Sequence, residues 1–517
     1  MATGVLYANR LGERTMQAEA DVPLLGQSLR NNVVSKTYTR TRPTEVLSRI
    51  FSRSNASTST QATSPAKTSR TASFDGLRGL ACLIVFNFHF LYPYTQTTIH
   101  GYGVELEHGA SRYLHQLPIL CLIIRGRAMV TLFFAISGYV LSYGFLAATR
   151  TDRLDSGVSR LGSLALRRWI RLYLPASISM LMVMGATYFR AFEKARKLNS
   201  TKYMKGVWEQ HPPIFKTFGA QVWNFGKLWW GWQTPFKTMI YYNPYDPHTW
   251  TIPVEFRSSM VLFMMLLASM GLKQRYRLGL ITFVTLYMFV ARRWDIASFT
   301  GGALVADLHL CHTTKNTTLV EKESLLPTEV PPAWIPEPPS RARKYAMVAW
   351  RYCPLLVALY VLSFPDEQGK KTPGFIFLHN SIKWLYKDTF KFWHSLAAIV
   401  VLWCVPRLSP IKAFLSSSIS QYLGKISYGL YLVHGPLLHS IGFALQPKIW
   451  TWTGFESNTG FCGGLILGWI FMLTISIGGG HLFWKYVDMP LVTFAKYVEK
   501  MASAASTTQQ RRRTTFE

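Results

Sequence analysis

The sequence predicts an all-α polytopic membrane protein of about ten transmembrane helices with both termini in the cytosol, and three observations carry that expectation. Runs such as 261-VLFMMLLASMGL, 395-SLAAIVVLWCV and 461-FCGGLILGWIFMLTISIGGG are nearly free of charge. They approach the roughly 20 residues a helix needs to cross hydrocarbon. Hydrophobic residues make up 49% of the 517-residue chain, although its formal net charge is +30. The positive residues lie between apolar runs and in the two tails, where membrane orientation places them, and no nucleic-acid-binding motif accompanies them. No nucleic-acid partner is expected, whereas contact with membrane lipids is.

Taken in order, residues 1–72 form a basic, Ser/Thr-rich cytosolic tail that is expected to be disordered. It has no apolar h-region, so no cleavable signal peptide is expected. Ten spans follow near 74–94, 120–147, 169–189, 251–271, 278–295, 297–311, 345–364, 390–406, 424–444 and 461–485. The fifth and sixth are interrupted by Arg292, Arg293 and Asp295. With the N-terminus inside, the basic segments 150-RTDRLDSGVSRLGSLALRRWIR, 273-KQRYR and 407-RLSPIK all fall on the cytosolic side. So do the Pro-rich linker within 312–344 and the basic tail 493–517, which bound and interrupt a membrane domain at 73–492.

The largest external loop, 190–250, is rich in Trp (Trp208, Trp223, Trp229, Trp230, Trp232) and carries the sequon Asn199-Ser200-Thr201. Its aromatics read as an interfacial belt or as a lid over an acceptor. The six cysteines are scattered without CxxC or CxH spacing, so neither a disulfide framework nor a structural metal is expected.

The segment 73-SFDGLRGLACLIVFNFHFLYPY carries the strongest chemical signal. Arg78 and His89 are eleven positions apart, which on a helix is about 20° past whole turns and about 16 Å along the axis. They share a face, with Arg78 near the cytosolic boundary and His89 about halfway into the hydrocarbon. An ionisable residue at that depth is costly and marks a functional candidate. Asp75, three residues before Arg78, is placed to pair with it.

The pattern F-D-G-L-R-G-x(9)-H resembles the opening of the acyltransferase-3 family of integral-membrane acyltransferases. Further stretches match in the family's order: 133-FFAISGYVLS, 167-RRWIRLYLP, 249-TWTIPVEF, 423-LGKISYGLYLVHGPL and a last helix ending in Asp488-Met489-Pro490. The family commonly has Glu where this chain has Asp488, which retains a carboxylate.

This resemblance implies transfer of an acyl group, most readily acetyl, from a coenzyme A thioester to a hydroxyl of a carbohydrate, lipid or small metabolite. Acyl-CoA is then a co-substrate, and no permanently bound cofactor is expected. His89 is the candidate general base, with Glu255 or Asp75 to orient its ring. Arg78, Arg168 and Arg171 fall at cytosolic helix ends and are candidates to grip the phosphates of the donor, although Arg168 and Arg171 also fit plain positive-inside anchoring. Tyr139, Trp250, Tyr428 and His434 are the candidates for substrate contact. Ser137-Gly138-Tyr139 reads first as a small-residue site for close helix packing. Tyr428 and His434, six residues apart, fall some 120° off a common face. The tails and the sequon suggest a eukaryotic, fungal protein of a secretory-pathway membrane, either endoplasmic reticulum or plasma membrane. The competing reading is a polytopic transporter or a non-catalytic lipid-binding protein, but the two halves show no internal repeat of the transporter kind.

Overall fold

A chain in hydrocarbon must satisfy its backbone N–H and C=O groups within the segment itself, so the apolar runs have little choice but to be helical. The computed structural model describes residues 71–106, 109–151, 154–198, 201–207, 211–236, 240–324 and 340–513. Each expected run is a helix: α1 (Ala72–Leu91), α2 (Gly126–Ala148), α3 (Leu154–Tyr188), α4 (Thr251–Ala268), α5 (Gln274–Val290), α6 (Trp294–Ser324), α7 (Arg341–Leu362), α8 (Thr389–Cys404), α9 (Ser418–Leu437) and α10 (Asn458–Phe483). The N-terminal tail, the sequon residues Asn199 and Ser200, Trp208 and most of the Pro-rich linker lie outside the described residues.

Among the described residues, six helical segments are long and apolar enough to cross a bilayer by length and composition: Ala72–Leu91, Gly126–Ala148, Leu154–Tyr188, Pro247–Ala268, Thr389–Arg407 and Asn458–Ala502. The helices outside that set carry more polar residues, and several of these pair inside the bundle. Buried Asp307 of α6 receives both Arg277 of α5 (3.1 Å) and Arg150 at the end of α2 (2.6 Å). Asp295, at the start of α6, likewise binds Arg257 of α4 (3.0 Å) and Arg293 (2.7 Å). Such pairing removes the cost of an isolated charge in a low-dielectric interior.

Two boundaries differ from the sequence expectation in ways that matter for the site. The basic stretch expected to be a cytosolic loop at 150–171 is largely helical, because it joins the third span in one 35-residue helix, α3. At 1.5 Å per residue such a helix is about 52 Å long, well beyond a hydrocarbon core of about 30 Å. Second, α1 stops at Leu91, just ahead of Pro93, so His89 lies in the last turn of α1 rather than halfway along a span.

Small residues allow the close helix contacts expected of them. A Cβ on Gly138 would lie 2.0 Å from the carbonyl oxygen of Phe299, so only glycine lets α2 approach α6 at this point. Helix α1 is tied to α9 by polar contacts: Arg78 donates to the Gly424 carbonyl at 3.0 Å, and Gln421 donates to the Ala72 carbonyl at 2.7 Å. Both α9 and α10 end in a π-helical turn, Leu438–Gly442 and Trp484–Asp488. Turns of this kind are frequent at functional sites.

The connection between α1 and α2 carries a two-stranded antiparallel hairpin, β1 (Val104–Leu106) and β2 (Gly109–Ser111). Fully buried Arg125 pins this connection by donating to the carbonyls of Thr98 and His100, both at 2.7 Å. In the loop before α4, the aromatics divide between two roles on the helix Phe218–Trp232. Trp223 and Trp230, seven residues apart, face outward as belt residues do. Trp232 is buried and donates to the Thr249 carbonyl (3.1 Å), while Trp229 donates to Ser177 of α3 (2.9 Å).

Candidate active site

Three histidines converge where α1 and α9 finish and α4 begins. His89 lies in the last turn of α1, His434 in the last turn of α9, and His248 in the 3₁₀ turn Pro247–Trp250 that leads into α4. His248 Nε2 is 3.0 Å from His89 Nδ1, and its Nδ1 is 3.2 Å from Asp246 Oδ1. His434 completes the cluster with its ring centroid 5.3 Å from that of His89 and 5.0 Å from that of His248. One nitrogen from each of the three rings falls within 4.8 Å of the others, close enough for a single ion.

The local sequence dictates how these rings stand. Asp246 caps the 3₁₀ turn by accepting the His248 backbone N–H, and the same carboxylate oxygen then meets the His248 ring. The Tyr431 hydroxyl donates to the His248 carbonyl at 2.6 Å and fixes the turn against α9. His434 Nδ1 faces the carbonyls of Tyr431 (2.7 Å) and Leu430 (3.2 Å). Carbonyls only accept, so Nδ1 of His434 carries the proton and Nε2 the lone pair. Gly435 makes room for His248, since a Cβ there would lie 2.5 Å from His248 Nδ1.

A cavity of about 290 Å³ lies near the cluster without being lined by any of its three rings. It is lined by five cationic side chains, Arg78, Arg167, Arg168, Arg171 and Lys425, against two carboxylates, Glu255 and Asp488. Thr251 and Tyr431, whose hydroxyls meet at 2.7 Å, line it where it approaches His248. On the other side of His248 a small cleft is lined by His211, Pro212, Tyr245, Gly435 and His439 among others.

The expected site residues are therefore partly gathered. Arg78, Arg168, Arg171 and Tyr428 line the cavity, and His434 joins His89. Asp75 pairs with Arg78 at 3.3 Å, as the three-residue spacing foretold. Glu255, expected to orient the His89 ring, instead pairs with Arg168, expected at a cytosolic helix end, at 2.7 Å. The length of α3 explains this, because Arg168 lies fourteen residues along it, about 21 Å from its start. Glu255 also accepts from Ser137 at 3.1 Å. The carboxylate in line with His89 through a second ring is Asp246, rather than either of the two expected.

Tyr139 and Trp250 do not line the cavity. Tyr139 is buried against Phe74, with ring centroids 4.4 Å apart, and Trp250 packs beside Trp294. Sequence reasoning passed over His248, Asp246, Tyr431, Lys425 and Arg167. His248 immediately precedes the 249-TWTIPVEF stretch, but in a loop it does not stand out as an ionisable residue inside an apolar run.

Comparison with known proteins matches the acyltransferase domain family over residues 71–484, which takes in the histidine cluster and nearly all of the basic cavity. The chain belongs to the acyltransferase-3 family. It is an integral-membrane acyltransferase, and its relatives include fungal enzymes. The O-acetyltransferase PaAT-1 of Phomopsis amygdali is 29% identical over 445 residues, covering 83% of this chain and 84% of that protein. The acyltransferase R4 of a Phoma species is 27% identical over 480 residues, covering 86% of this chain and 98% of that protein. The acyltransferase clz18 of Cochliobolus lunatus is 26% identical over 476 residues, covering 84% and 96%. No solved structure matches the chain.

Proposed function

We propose that this acyltransferase moves an acyl group, most readily acetyl, from acyl-CoA to a hydroxyl of a carbohydrate, lipid or small metabolite, with His89 as general base. The observation that carries this reading is the Asp246–His248–His89 chain standing beside the basic cavity. If Asp246 accepts the His248 Nδ1 proton, His248 Nε2 is the acceptor for the Nδ1 proton of His89, and the basic lone pair of His89 is then on Nε2. The acceptor hydroxyl gives its proton to that nitrogen as its oxygen attacks the thioester carbonyl. When the tetrahedral intermediate collapses, the departing thiolate takes the proton back, so His89 is regenerated. The imidazolium formed in between faces His248 Nε2 through its Nδ1, and His248 Nδ1 in turn faces Asp246.

The five cations of the cavity suit the phosphates of coenzyme A, and Arg78, Arg168 and Arg171 are the residues we assign to them. Glu255 holds Arg168 in place rather than acting on the proton. The name of PaAT-1 favours acetyl as the group and oxygen as its destination. We place the enzyme in a secretory-pathway membrane, with the basic cavity open to the cytosol, where acyl-CoA is held.

The test is incubation of membranes carrying the enzyme with radiolabelled acetyl-CoA and a pool of hydroxylated acceptors. Label transfer is expected from the wild type and loss of at least about 100-fold from His89→Ala, the contribution typical of a general base. Undiminished transfer by the variant would remove His89 from the role.

A further inference from the structure

We propose that His89, His248 and His434 form a binding site for a divalent transition-metal ion, zinc foremost, and that a metal bound there switches acyl transfer off. The binding half stands on geometry alone, while the inhibitory half rests on the base role assigned to His89.

The donor set is that of a three-histidine metal site. One ring nitrogen from each histidine lies within 4.8 Å of the others, and the His89–His248 pair is already at 3.0 Å. Ligands of a tetrahedral zinc ion, each about 2.0–2.1 Å from the metal, lie about 3.3 Å apart, so rotations of the rings by under about 1.5 Å gather the three nitrogens. Two of the rings also have the outer partners typical of ligating histidines. Asp246 accepts from His248 at Nδ1, and the Tyr431 and Leu430 carbonyls accept from His434 at Nδ1. Both contacts direct the Nε2 lone pairs inward. His434 Nε2 is buried, in a residue only 1% exposed, and has no hydrogen-bond partner among the described residues, so its lone pair is available as a metal donor.

Three imidazoles with no carboxylate among them select zinc, copper or nickel over magnesium or calcium. The fourth tetrahedral position remains open, and the cleft beyond His248, lined by His211 and His439 at 3.2 Å from one another, provides a polar approach. Occupancy removes the base whichever nitrogen of His89 is used. A metal on Nε2 takes the basic lone pair itself, and a metal on Nδ1 leaves the proton on Nε2. A cytosolic or lumenal rise in free zinc would then lower activity without displacing either substrate.

The experiment uses the full chain purified in detergent, stripped with chelator and titrated with zinc chloride while bound zinc and acetyl transfer are followed in parallel. We expect one equivalent bound, with activity falling in proportion to occupancy and returning on chelation. His434→Ala and His248→Ala each weaken binding at least about 100-fold and Asp246→Asn about 10- to 100-fold. His481→Ala, outside the cluster, leaves it unchanged, and size-exclusion profiles confirm that each variant is folded. Absence of stoichiometric binding, or unchanged binding by His434→Ala, overturns the site. Full activity with the site occupied overturns the inhibition. A stripped enzyme that is inactive until zinc is returned overturns both the inhibition and the base role of His89, whereas metal-free His89→Ala retaining full activity overturns the base role alone and leaves the binding result standing.

Discussion

Replacing Gly435 by alanine tests the histidine chain at a residue that takes no part in the chemistry. The added Cβ would lie 2.5 Å from His248 Nδ1 and 2.6 Å from Cε1, whereas ordinary carbon contacts are about 3.5 Å or more. Gly435 is in helix α9, which cannot move away easily because Tyr428 donates to the Leu172 carbonyl of α3 and the Leu432 carbonyl accepts from Ser179 of α3. The His248 ring must therefore shift by about 1 Å, enough to spoil the geometry of its 3.0 Å hydrogen bond with His89. A displacement of that size in a catalytic group costs on the order of 100-fold in kcat. Alanine also favours helix over glycine by about 1 kcal/mol, so a fall in activity cannot be ascribed to melting of α9.

The assay is kcat and the KM for acyl-CoA with purified enzyme, beside Gly442→Ala as a control. At Gly442 the added Cβ meets nothing closer than 3.6 Å, so that variant keeps near wild-type rates. Gly435→Ala should lose kcat with little change in the donor KM, since the cavity is untouched. A kcat within threefold of wild type would refute the claim that His248 must stand where it does.

Further outcomes follow from the cavity and from the connection between α1 and α2. Arg168→Ala removes a pair whose side chains are only 15% and 19% exposed, so stability falls by about 3 kcal/mol, toward the lower end for breaking a buried ion pair. Loss of one charge-assisted contact to the donor should also raise the acyl-CoA KM by at least about tenfold, and an unchanged KM would exclude Arg168 from phosphate binding. In the connection between α1 and α2, burial holds His100 below the usual histidine value, with Glu367 partly opposing, and burial together with the Arg125 charge does the same for His115. Both groups bind protons more readily unfolded than folded, so stability rises with pH across this range and is lost as pH falls below about 6.5 through their lowered values. Protection factors of the 96–101 amides, measured against the intrinsic exchange rate at each pH, should fall between pH 7 and pH 5, and less so in a His100→Gln, His115→Gln variant.

How far the sequence carried these conclusions depends on the range of the interaction concerned. The helical character of each apolar run was legible, because it follows from hydropathy within a window of about 20 residues. The Asp75–Arg78 pair and the packing role of Gly138 were legible for the same reason, being consequences of spacing along one helix or of residue size. Length was harder to read. Polar and basic residues after 150 look like a loop, yet nothing in them stops a helix, and α3 runs through to carry Arg168 to Glu255.

By itself the sequence determined that this chain lies in a membrane, that its first helix presents Arg78 and His89 on one face, and that it belongs with the acyltransferases. Only the tertiary structure decided what stands beside His89. His248 is 159 residues away along the chain and His434 is 345, and no periodicity within a helix can report a contact at that separation. Three helix ends meeting in one layer brought the rings together, and the turn at Asp246 put a carboxylate behind them.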